Sequence, residues 1–109
     1  MNNKDKTMQI QITQKNIYEG QGGCGLSCAV ALAVRDKFKT NDVRVSITHE
    51  DNDNQQYQVG IKVKDKHFVS NDPNVYYFIS DFDMGGVGAV KPMQFTIKEI
   101  IWTIGLIIK

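Results

Sequence analysis

Arginine is scarce in this sequence: Arg35 and Arg44 are the only two among 13 basic residues, set against 12 acidic ones for a net charge of +1. A nucleic-acid binder normally carries a basic excess with arginine-rich contacts to phosphate and bases, so direct nucleic-acid binding is not expected. Long apolar runs are missing too. The longest, Ile100 to Ile108, is about half of the ~20 residues a membrane-spanning helix needs. Met1 to Thr7 is polar and lacks the apolar core of a signal peptide, which points to a cytoplasmic, reducing setting where Cys24 and Cys28 stay free thiols. Absent as well is any base and nucleophile that can be placed together, so the chain is not expected to be an enzyme.

What is present suffices for one domain spanning residues 1–109, large enough to bury a core without disulfides or metal. Met8, Ile10 and Ile12 alternate with glutamines as a strand with one buried face does. Thr13 to Glu19 reads as a turn or a short helical turn. After the glycine-rich bend Gly20 to Gly25, the run Ala29 to Val34 favours a deeply buried helix, with Ser27 as its N-cap, lysines at its end and Asn41 as a left-handed stop. Val43, Val45 and Ile47, then Tyr57, Val59, Ile61 and Val63, alternate on either side of Glu50 to Asn54, an antiparallel hairpin that a second turn at Asp65–Lys66 extends into a three-stranded meander. Asn71-Asp72-Pro73 opens a second helix whose stripe Val75, Phe78, Ile79 and Phe82 ends at Gly85-Gly86. Met93, Phe95 and Ile97 close the sheet. The expected fold is α+β, a mainly antiparallel sheet of about five strands with two helices in the order β-α-β-β-β-α-β. Residues 1–6 read as frayed, and 100–109 as an apolar tail whose Trp102, Ile104 and Leu106 contact a partner, a second copy of the chain included.

Gly20 to Gly25 matches G-x-G-x-x-G, but no clear strand precedes it, an antiparallel meander follows it, and no Lys-Ser/Thr pair stands where a P-loop needs one. A tight bend into a buried helix explains the glycines; free N–H groups at Gly22, Gly23, Gly25 and Ser27 would hold a ligand anion. Cys24 and Cys28 would share one face on a helical path, and with His49 and His67 they make a nominal two-cysteine, two-histidine set. Its spacing fits no common zinc pattern, a dithiol motif has two intervening residues rather than three, and small buried core residues are the simpler reading. No metal or cofactor is expected, with Cys24 and Cys28 the alternative. Gly85 to Gly88 after Asp81 and Asp83 suggests a helix stop and mobile loop, with Gly86 a ligand contact and a cation or sugar site the sharper option. Tyr76 is expected to point outward, where it would stack on a planar ligand or anchor a partner surface.

The strings Ile17-x-x-Gly20-x-x-Gly23-Cys24-x-x-x-Cys28 into Ala29-Val30-Ala31-Leu32-Ala33, Val75-x-x-Phe78-Ile79-x-x-Phe82-Asp83-x-Gly85, and Lys91-Pro92-Met93-Gln94-Phe95 resemble a family of small bacteriophage proteins of uncharacterised function. Where family members often read C-x-x-C-P, this chain has Ser27 and Cys28, a departure that counts against a metal or dithiol role. The resemblance implies a non-enzymatic accessory protein that binds and neutralises a bacterial defence component in the host cytoplasm. Its target is either an immune protein or a nucleotide-like signal held near the two glycine loops. A homo-oligomer is expected. The alternative is a small metal- or thiol-dependent protein using Cys24 and Cys28.

Overall fold

A computed structural model describes residues 7–23 and 25–100. The elements follow as β1 (Thr7–Ile12), α1 (Gln14–Glu19), α2 (Ala29–Phe38), β2 (Val43–Asp51), β3 (Gln56–Val63), β4 (Lys66–Ser70), α3 (Pro73–Gly85), a 3-10 turn (Gly86–Ala89) and β5 (Met93–Ile100). The strands form one antiparallel sheet in the order β1-β5-β4-β3-β2. The expected α+β architecture is present, with α1 as an additional short helix. Cys24 and the partner-contact residues Trp102, Ile104 and Leu106 lie outside the described residues.

Alternation decides which side of the sheet is covered. Ile10 and Ile12, Phe95 and Ile97, Phe68, Val59, Ile61 and Val63, and Val43 and Val45 all turn to one face, where they meet Ala29, Val30, Ala33 and Val34 of α2 and Val75, Phe78 and Phe82 of α3. The polar residues between them form the other face, and none of the described helices packs there, so the molecule has two layers. At roughly 25 cal/mol per Å² of apolar surface, each fully buried Ile or Phe contributes about 2 kcal/mol before entropy is counted.

Local chemistry explains the ends of the helices and corrects several expectations. α1 is a true helix because Thr13 and Asn16 cap one another: Asn16 N–H donates to Thr13 Oγ1 at 3.2 Å and Thr13 N–H to Asn16 Oδ1 at 2.9 Å. Asn16 is itself buried and donates from Nδ2 to Asp36 Oδ2 at 2.9 Å, tying α1 to α2. The N-cap of α2 is Cys28 rather than Ser27, its Sγ accepting from Ala31 N–H at 3.5 Å. The left-handed stop is Lys39 (φ 56°), two residues before Asn41. Asp72 caps α3 ahead of Pro73 as expected, and Gly86 ends the helix with φ 73°. The second glycine cluster then coils into the 3-10 turn instead of a loop. Ile47, expected on the buried face, is 40% exposed beside an irregularity in the β2–β3 register between Ile47 and His49.

Candidate binding groove at the free edge of β2

β2 ends the sheet, so one row of its backbone groups points away from β3. The first of these is already used. Val45 N–H donates to the Gly25 carbonyl at 2.8 Å, laying the glycine-rich segment against the strand. The approach is so close that a Cβ on Gly25 would stand 2.2 Å from the Val45 carbonyl oxygen. Only glycine fits there. By the two-residue period of a strand, Ile47 turns its N–H and C=O to the same open side, and no loop among the described residues covers it.

The same segment is tied from above by α3. Gly23 N–H donates to Asp83 Oδ1 at 2.7 Å, and a Cβ on Gly22 would meet Asp83 Cα at 3.3 Å. Behind it Gln21 N–H donates to the Ser27 carbonyl at 2.9 Å, and Arg35 donates from a terminal guanidinium nitrogen to the Leu26 carbonyl at 2.6 Å. Between segment, strand and helix lies a cavity of about 180 Å³ lined by Gly23, Gly25, Cys28, Val45, Ile47, Ile79 and Asp83. Ile79 is half-buried because it forms a wall of this cavity instead of joining the closed core.

Of the residues singled out from the sequence, Gly22, Gly23 and Gly25 meet at this groove, and Gly86 caps the end of α3 that carries Asp83. Ser27 contributes its carbonyl. Tyr76 stands two helical turns away, about 10 Å along α3 at 1.5 Å per residue, and does not point freely outward. Its ring stacks on Tyr57 at a centroid distance of 3.9 Å with Tyr77 edge-on to both, and its hydroxyl donates to the Glu50 carboxylate. That hydrogen bond, followed by loss of hydration, pushes the Tyr76 phenol up to about 12. Tyr57 is raised as well, chiefly by burial, and its hydroxyl donates to Asn52 Oδ1 at 3.1 Å. The tyrosines therefore pin the β2–β3 hairpin to α3.

The chemistry of the groove is apolar with one carboxylate. Cys28 is buried and its thiol is pushed up first by burial and further by the negative charge of Asp83, so it stays protonated near neutral pH. The four-ligand metal set is not assembled among its described members. Cys28 lies on the helix side, whereas His49 and His67 pair across the sheet with Gln58 and Lys62 on the opposite face. Nor do residues 25–28 belong to a helix, since α2 begins only at Ala29. For an anion the surroundings are poor. Ala29, Val30 and Ala31 at the start of α2 are 0%, 1% and 0% exposed, and the Asp83 carboxylate already holds Gly23 N–H.

Compared with family models, curated proteins and solved structures, the chain finds no match. The groove must therefore be read from its own geometry. Asp83 was not legible as its part, because its partner Gly23 lies 60 residues away in sequence. The one available signal was the doubling of glycine clusters, at Gly20–Gly25 and Gly85–Gly88, on segments that precede and follow helices.

Proposed function

We propose that this protein is a non-enzymatic binding protein that takes an extended segment of a partner protein along the free edge of β2. The observation that carries the reading is the docking of Gly25 on Val45. It leaves the Ile47 backbone as the next open position on the same edge, beside an apolar cavity. A segment adding there would exchange main-chain hydrogen bonds with Ile47 and place one small aliphatic side chain against Ile79 and Cys28. The cavity, about 180 Å³, suits one such side chain and falls below the roughly 300–1,000 Å³ that enclose a drug-sized ligand. Of the two targets implied by the bacteriophage resemblance, the geometry favours an immune protein over a nucleotide-like signal.

The setting, neutralisation of a bacterial defence component, comes from that resemblance alone. It is tested by expressing the protein in strains that each carry one defence system and measuring phage plaquing. Plaquing is expected to be restored in at least one strain by the parent and lost with Ile47→Arg, with the variant's circular dichroism unchanged. Restoration by Ile47→Arg at the parental level would remove the groove from the reading. Restoration in no strain would remove the setting.

A further inference from the structure

The two rims of the sheet differ in how they are protected. An edge strand presents a row of unpaired N–H and C=O groups, and such edges are ordinarily blunted by charged side chains, proline, a bulge or a covering loop. β2 has all but the proline: Arg44, Glu50 and Asp51 along its length, the irregularity between Ile47 and His49, and Gly25 docked on Val45. β1, at the opposite rim, has none. Thr7 to Ile12 holds no charge, proline or glycine, and it pairs with β5 in unbroken register. Among the described residues no loop or cap hydrogen bond reaches it. An uncharged, regularly paired edge of this kind is a template for a further strand.

The side chains of β1 select that strand. Gln9 and Gln11 stand on the helix-free face, and Met8, Ile10 and Ile12 on the other. Residues directly opposite in an antiparallel pair share a face, so a strand that continues both layers must alternate polar and apolar with the same period. A second β1 does so. Related by a twofold axis perpendicular to the sheet, two copies keep glutamines on one face and aliphatics on the other when the axis passes beside Gln9, Ile10 or Gln11. Amide bonding chooses among these. Gln94 Nε2 donates to Gln9 Oε1 at 2.6 Å, leaving the Gln9 amide hydrogens unused, and Gln11 Nε2 donates to the Met93 carbonyl at 3.4 Å, leaving Gln11 Oε1 unused. Gln9 therefore wants an acceptor and Gln11 a donor. Centred on Ile10, the twofold sets each Gln9 opposite Gln11 of the second copy, and half-buried Met8 opposite Ile12.

We infer that β1 pairs antiparallel with β1 of a second copy of this chain about a twofold axis at Ile10, joining two five-stranded sheets into one. The contact uses no part of the groove at β2, and neither reading depends on the other. Sedimentation velocity of the full chain over roughly a hundredfold range of concentration tests it, with a monomer–dimer equilibrium expected. Gln9→Lys combined with Gln11→Lys sets like charges opposite one another at two places and should weaken the dimer on the order of tenfold. Gln9→Lys combined with Gln11→Glu sets opposite charges there and should return it to within about twofold of the parent. In a register centred on Gln9 or Gln11 that swap would instead oppose like charges. Gln55→Lys combined with Gln56→Lys, which adds the same charge at the tip of the β2–β3 hairpin, should leave the dimer within about twofold of the parent. Circular dichroism of each variant separates a lost dimer from a lost fold, and Gln9→Glu with Gln11→Glu replaces the lysine pair if that variant does not fold. A chain that stays monomeric throughout, a dimer that the lysine pair at β1 leaves intact, including one held by residues 101–109, or a charge swap no better than that lysine pair would overturn the proposal.

Discussion

Replacing Gly25 by alanine should do more damage than any other single-methyl change in the glycine-rich segment. The new Cβ would stand 2.2 Å from the Val45 carbonyl oxygen, and that oxygen belongs to a strand fixed by its pairing with β3. The methyl therefore displaces the segment rather than the strand. Displacement breaks the Gly25–Val45 hydrogen bond, worth about 1 kcal/mol net, and adds an overpacking cost of about 1–3 kcal/mol. A total near 2–4 kcal/mol corresponds to a fall in Tm of about 10–15 °C for a domain of this size. Gly88→Ala is the matched control, since a Cβ there meets nothing within 4 Å and the substitution restricts the unfolded chain. It should leave Tm unchanged or slightly raised. Thermal unfolding followed by far-ultraviolet circular dichroism, with urea titration for ΔG, measures both. A Gly25→Ala protein within about 0.5 kcal/mol of the parent, inside the range of ordinary surface changes, would refute the close docking of this segment on β2.

Cys28→Ala removes the acceptor of the Ala31 N–H and should cost about 1 kcal/mol in urea titration, with Cys28→Ser retaining most of it. Asn16→Ala removes the acceptor of Thr13 N–H and the bond to Asp36 while leaving Asn16 N–H on Thr13 Oγ1, for an expected loss of about 1–3 kcal/mol by the same assay. Alkaline pH should destabilise the fold. Cys28, Tyr57 and Tyr76 are all raised in the folded state above their ordinary values of 9.0, 10.0 and 10.0, so their neutral forms favour folding and that contribution fades once the unfolded chain ionises first, from about pH 9 upward. Tyr76→Phe should flatten the part of that decline above pH 10, read from ΔG against pH; an unchanged slope would contradict the Glu50 contact.

The strands and both long helices were legible because each carries its own burial period within a few residues. Met8-Gln9-Ile10-Gln11-Ile12 or Tyr57 through Val63 needs no distant partner to declare which face is buried. Ile47 broke the alternation because a register irregularity is a property of two strands, and only the pairing of His49 with Gln58 reveals it. The cap of α2 moved by a single residue because serine is the better cap in isolation, yet burial of the helix start placed the thiol of Cys28 where the acceptor had to be. At the groove the limit was range. Asp83 reaches Gly23 across 60 residues and Tyr76 reaches Glu50 across 26, and neither link leaves a local trace.

The placement of β5 between β1 and β4 bears on how the chain reaches this structure. β1 pairs with β5, the last described strand, so Gln9 and Gln94 meet across 85 residues. Closing so long a loop yields no strand pairing until its ends arrive, and folds governed by such contacts tend to be slow, in the millisecond-to-second range. During synthesis the hairpin β2–β3 and strand β4 can assemble first, while β1 waits without a strand partner until Met93 to Ile100 has left the ribosome. β5 acts as a keystone: its arrival covers the exposed edge of β4 and gives β1 its place in one step.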